Sequence, residues 1–215
     1  MSSTATYQTS STRAGGGLLL AGIVGPSIFL AAMVLGLASG RTSGSEAGSG
    51  MALGSLGFLM QGVFLLTGAC IVAFAFGQYR ALRPASRIGT GLLGIAGVAV
   101  LLSGIFLTDA PGAKETTHGQ IHNMLFLVTM VSMLISFCFN GVKLRRNGYR
   151  FALLQSIVST IALPLFVGVF VTIASDPHDP LYSVGGFVEF AIIAVAFGWI
   201  ITNAARIRRA TSAEG

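Results

Sequence analysis

Long apolar runs alternate with short polar stretches six times along this chain, at residues 17–39, 51–77, 88–107, 121–142, 151–174 and 184–205. A helix needs about 20 residues to cross a hydrocarbon core of roughly 30 Å, and each run reaches that length. With no water in the bilayer to satisfy open backbone groups, such runs cross as helices. The pattern predicts an all-α, polytopic membrane protein: an antiparallel bundle of six transmembrane helices. It places the bundle at residues 17–207, between a disordered tail at 1–16 rich in Ser and Thr and a short tail at 208–215. No soluble domain, linker or internal repeat is left over.

Inside the runs, small and polar positions follow helical spacing. Thr90, Gly94, Gly97 and Gly104 in the third run, and Gly54, Gly57, Gly62 and Gly68 in the second, offer surfaces for close helix approach. Close approach matters because lipid is as apolar as the side chains and provides no hydrophobic drive between helices. Pro26 and Pro164 fall inside the first and fifth runs, where neighbouring helices accommodate a kink. Steps of three or four residues from His118 reach His122, Leu125, Thr129, Ser132, Ser136 and Asn140. That makes one face of the fourth helix polar almost end to end, so it should point into the bundle. The plain role for Ser132 and Ser136 is to knit helices together.

Composition supports the pattern and charge orients it. The 215 residues are 53% hydrophobic and 9% charged, with a mean hydropathy of +0.80. A soluble domain would need far more charge to cover its surface. The net charge of +6 argues for topology, not for nucleic acid, because the basic residues flank the apolar runs. Arg80, Arg83 and Arg87 fill the second loop, and Lys143, Arg145, Arg146 and Arg150 the fourth. Arg206, Arg208 and Arg209 close the chain, and with Arg13 these are all the basic residues but Arg41 and Lys114. The positive-inside rule then puts both termini and the even loops in the cytoplasm of a cell-membrane protein, and the odd loops outside. The first run is longer than a signal-peptide core and no lipidation Cys follows it. Cys70 and Cys138 lie deep in two runs and read as buried free thiols.

The candidate chemistry lies in the outward loops. The segment TDAPGAKETTHGQIHN brings Asp109, Glu115, His118 and His122 to the junction of the third and fourth runs. With a helix starting near Thr117, His118 and His122 project from one face and offer two nitrogens to one ion. Zinc sites use this spacing with a third ligand from elsewhere, and Asp109 is the nearest candidate. Glu189 lies a turn and a half into the sixth run, and an ionisable group within a span is a functional hypothesis by default. Asp176, His178 and Asp179 sit in the fifth loop, where they could close over the site, although a His between two prolines is more simply solvated. Gln61, in the second run, reads first as a helix contact. The pattern argues against haem, since two His on one helix cannot take opposite faces of one porphyrin and no other run contains a His.

The stretches GIFLTDAPGAKETTHGQIHNM, FLMQGVFLLTGACI and GGFVEF resemble the uncharacterised multi-pass membrane proteins of domain-of-unknown-function family 998, over nearly the whole chain. That family's pattern combines a Phe-Pro-Thr-Asp turn, a His-Gly-x-x-His segment and a Gly-x-x-Glu-Arg segment. This chain keeps Thr108, Asp109, His118, His122 and Glu189, with Leu107 in place of the Pro and Phe190 in place of the Arg. The resemblance implies a six-helix fold with no assigned activity, and the absent Arg weakens any mechanism that needs a cation beside Glu189.

Two classes of function remain open. One is an intramembrane enzyme acting on a lipophilic substrate at the outer leaflet, with Asp109, His118, His122 and Glu189 as catalytic groups. Its chemistry would be hydrolysis at a zinc ion held by His118, His122 and Asp109, or cyclisation or isomerisation through a protonated Glu. The other is a lipid-binding, sensing or accessory subunit in which the same residues clasp helices together. A transporter fits less well, because the carboxylates lie near one surface and no repeated halves are seen.

Overall fold

A computed structural model describes residues 4–38, 49–54, 57–82, 84–110, 112–174, 180–181 and 184–213, with side chains from Gly15 onward. Six α-helices run along it: α1 (Thr4–Ala38), α2 (Gly57–Ala81), α3 (Arg87–Ser103), α4 (Thr117–Arg146), α5 (Arg150–Ala174) and α6 (Gly185–Ala213). A single 3-10 turn, Gly50–Leu53, precedes α2, and no strand occurs among the described residues. Five helices carry spans long and apolar enough to cross a membrane. The sixth, α3, has 17 residues, about 25 Å at 1.5 Å per residue. The chain is a polytopic helical membrane bundle, as the run pattern predicts.

Each helix packs on its neighbours in sequence, and α6 closes back on α1. The bundle is therefore a ring of six helices with a side-chain core. Helix direction follows from the contacts: Gly77 meets Leu18 while Gly25 meets Cys70, and Gly68 meets Leu101 while Gly97 meets Val72. Both pairs are antiparallel. One end of the ring gathers Arg80, Arg87, Lys143, Arg145, Arg146 and Arg150 at helix termini, and is called here the basic end. The other, where α3 ends and α4 begins, is the histidine end.

Element boundaries moved where local chemistry overrode hydropathy. The helical part of the second run begins only at Gly57, because residues 50–53 form the 3-10 turn. α3 stops at Ser103, four residues before its apolar run ends, and Gly104, Ile105 and Phe106 turn back on the carbonyls of Leu101 and Leu102. α4 starts at Thr117 because Thr116 caps it, its hydroxyl accepting the Gly119 N–H at 3.1 Å. This is the cap geometry that satisfies an orphan N–H. α1 is helical from Thr4 and α6 to Ala213, so helix reaches into both segments assigned to tails, although the apolar span of α1 starts at Gly15.

Small residues do set the close approaches, but only some of those expected. A Cβ at Gly68 would strike the backbone of Gly97 and Leu101, and one at Gly104 would strike Phe64. Gly62 and Gly94 face open space, on flanks of their helices that no neighbour covers. The polar stripe of α4 does turn inward. Ser136 donates to the Gly89 carbonyl at 2.9 Å and Asn140 donates to Ser136 at 2.9 Å, joining α4 to α3. On the opposite side, Trp199 Nε1 donates to Ser156 at 2.8 Å and the indole stacks on Phe137. Outward positions such as Phe151, Ile161 and Leu165 are exposed. This would be an aggregation hazard in water, and in a bilayer it is the lipid-facing surface.

Candidate functional site

The loop between α3 and α4 is built around Asp109. Its carboxylate accepts the Thr116 N–H at 2.8 Å and the Thr116 hydroxyl at 2.6 Å. The hydroxyl that Asp109 receives is itself the cap of α4, so one carboxylate fixes where the fourth helix starts. Those two bonds, with a smaller contribution from nearby His118, hold the Asp109 carboxyl below the ordinary value of 3.8. A Cβ at Gly119 would run into the same carboxylate. The glycine after His118 is thus the residue that lets Asp109 approach the helix.

The two histidines diverge. His118, in the exposed first turn of α4, lies tilted against the ring of Phe106, with centroids 5.5 Å apart. His122, one turn deeper, is 7% exposed and its Nδ1 lies 2.8 Å from the Phe106 carbonyl. A carbonyl only accepts, so Nδ1 carries the proton, and in the neutral tautomer this leaves the lone pair on Nε2. The early end of α3 creates this arrangement. Phe106 lies beyond the last helical turn, where its carbonyl has no partner four residues on, and His122 supplies one.

His122 opens onto a cavity of about 50 Å³ inside the histidine end of the ring. At roughly 10–15 Å³ per water, it has room for a few water molecules or one small polar group. Glu189, on α6 and only 5% exposed, lines the same cavity. Ser103 of α3 and Thr129 of α4 add hydroxyls, and Ser49 adds a third beside the 3-10 turn. The remaining wall is apolar and largely aromatic. Phe29 meets Phe64 edge to face at 4.8 Å and Phe197 edge to face at 5.3 Å, and Phe126 completes the side next to His122.

Of the four residues singled out from sequence, the fold brings His122 and Glu189 to one cavity. Asp109 and His118 do not line it: the first is engaged with Thr116 and the second faces outward. Among the described residues no three His, Cys, Asp or Glu side chains come together as a metal ion would require. Asp176, His178 and Asp179 lie outside the described residues. Gln61 is not part of the wall, and its backbone carbonyl packs on Gly104. Sequence reasoning missed Ser103, the Phe106 carbonyl and the phenylalanine walls. A serine or phenylalanine in an apolar span is common, and nothing in its spacing distinguishes a cavity wall from ordinary packing.

The family described as Protein of unknown function (DUF998) matches residues 23–206 of the chain. No curated protein and no solved structure matches it.

Proposed function

This chain belongs to the DUF998 family of proteins of unknown function, and from that premise we propose that it binds the polar head of a lipophilic molecule in the cavity shared by His122 and Glu189. The observation that carries this reading is that two buried ionisable side chains line one cavity with the hydroxyls of Ser49, Ser103 and Thr129, on a wall otherwise aromatic and aliphatic. Ionisable groups at such positions are costly and are kept where they meet a ligand, an ion or each other. The cavity is too small for an acyl chain, so the ligand's tail remains in lipid and only its head enters. The clustered Arg and Lys of the basic end argue that this end is cytoplasmic in the cell membrane, with both chain termini, and that the cavity belongs to the outer leaflet.

A second, catalytic reading has its own support in His122. A ring whose Nδ1–H is fixed by a backbone carbonyl presents Nε2 as a positioned base, the arrangement used in general base catalysis. On that reading Glu189 steadies the charge that develops and the bound head is the reacting group. Mass spectrometry of lipids and metabolites that co-purify with the protein tests both readings. Wild type is expected to retain a lipophilic species that Glu189→Gln and His122→Asn lose, while the Trp199 fluorescence of the variants stays native. A species turned over in cells by wild type and left unchanged by His122→Asn would favour catalysis. Identical co-purifying species in wild type and both variants would defeat the cavity as a ligand site.

A further inference from the structure

We propose that the seam between α5 and α6 at the basic end binds the phosphate of an anionic phospholipid, through the guanidinium of Arg206. The inference is independent of the cavity at the histidine end. It starts from a relay of hydrogen bonds between the two helices. The Thr202 hydroxyl donates to the Gly198 carbonyl at 2.7 Å, and its oxygen accepts an Nε2–H of Gln155. That orients the Gln155 amide so that its Oε1 accepts from Arg206 Nη1 at 2.7 Å. Asn203 Oδ1 lies 3.5 Å from the same nitrogen. Two neutral amides therefore hold one end of the guanidinium, and its Nε and Nη2 hydrogens take no partner among the described residues.

Those donors lie along one edge of a planar group, the fork that takes two oxygens of a phosphate or carboxylate at once. The described part of the chain supplies no such anion here. Its acidic residues, Asp109, Glu115 and Glu189, all belong to the histidine end. What surrounds the fork is basic. Thr202, Arg206 and Arg209 recur along α6 at steps of four and three, which places Arg209 on the face that meets α5. Arg209 is exposed about a turn further out, and Arg150 opens α5 at the same end. The seam also offers a surface for acyl chains. Arg206 directly follows the sixth apolar run, and a turn inward from Thr202 a side chain at Gly198 would meet nothing. Leu154 and Val158 of α5 are 59% and 57% exposed. A lipid with its phosphate on Arg206 lays its chains against these residues. A zwitterionic head would bring a second cation among the arginines, so an anionic head fits better.

Native mass spectrometry of the full-length protein tests the site, with phosphatidylglycerol and phosphatidylcholine of matched chains added in turn. Phosphatidylglycerol should be retained about tenfold more tightly, the difference that one or two arginines near a lipid surface make. Arg206→Gln should weaken it by about tenfold or more, because the charged bonds to the phosphate are lost. Gln155→Leu keeps the charge but releases the guanidinium, and should weaken binding severalfold. Arg209→Gln, at an exposed position, should also weaken it severalfold and serves as the test if Arg206→Gln does not fold. Arg87→Gln removes an exposed arginine at the start of α3, across the ring from α6, and should leave binding unchanged. Equal retention of the two lipids, or equal losses from Arg87→Gln and from the seam variants, would overturn the site in favour of diffuse attraction to a basic surface. Inorganic phosphate separates the two sources of this chemistry. It should leave the Tm unchanged where phosphatidylglycerol raises it, and a phosphate shift that Arg206→Gln abolishes would overturn the lipid as the source.

Discussion

Asp109 and Gly119 form a single device at the histidine end. The carboxylate positions Thr116, Thr116 caps α4, and the missing side chain at 119 leaves the carboxylate its space. Gly119→Ala is therefore expected to destabilise the protein by about 1–3 kcal/mol through overpacking, measurable as a lower Tm in detergent. The pH response follows from the lowered Asp109 value. The unfolded chain takes up this proton near 3.8 and the folded chain only at lower pH, so the unfolded state binds more protons in between. The stabilisation is complete above the ordinary carboxylate range, shrinks as pH falls through it, and is gone below the folded value. A Tm-against-pH curve should show this loss at the acid end, and Asp109→Asn should lack that component. At His122, Asn can still donate an N–H towards the Phe106 carbonyl, whereas Ala leaves the carbonyl unmet at a cost of about 1–3 kcal/mol. His122→Ala should thus be clearly less stable than His122→Asn in the same melting assay.

Among the helices, the number, order and direction were legible in the sequence because hydropathy over 20-residue windows reports them directly. What it could not report was where α3 stops. The apolar run continues through Ile105, Phe106 and Leu107, yet the helix ends at Ser103, because a backbone turn at Gly104 and an acceptor for His122 are tertiary requirements without a hydropathy signature. The inward stripe of α4 was readable from helical periodicity, and its partner was not, since the Gly89 carbonyl that Ser136 meets belongs to another helix. Trp199 gives a probe of the α5–α6 contact. Its N–H donates to Ser156 in a fully buried setting, so Ser156→Ala leaves a buried donor without a partner and should cost about 1–3 kcal/mol. Intrinsic fluorescence can follow that loss cleanly, because the chain has a single Trp. Close packing of α2 on α3 depends on Gly97, and Gly97→Val should lower the melting temperature while leaving the Trp199 emission of the folded state unchanged, since that indole lies on the other side of the ring.

At the scale of the molecule, the site depends on closure of the ring. His122 comes from α4, Glu189 from α6, and the walls from α1, α2 and α3, so no pair of helices holds the cavity alone. This is why only its ionisable members, and Thr129 on the inward stripe of α4, could be named in advance: a buried polar group stands out in an apolar run, whereas a wall exists only once the ring has closed. The short α3 has a further consequence. Its neighbours α2 and α4 run for 25 and 30 residues, so beside α3 the bilayer meets an apolar surface several ångströms shallower than elsewhere around the ring. Lipids relieve such hydrophobic mismatch by thinning locally, which lowers their headgroups next to Ser103 and Phe106, at the level of the cavity. The protein would then shape its own membrane into a dimple that delivers polar heads to the site. Ligand occupancy should consequently fall as nanodisc lipids are shortened towards a chain length that matches α3 and removes the dimple, a dependence that titration across a series of acyl lengths would measure.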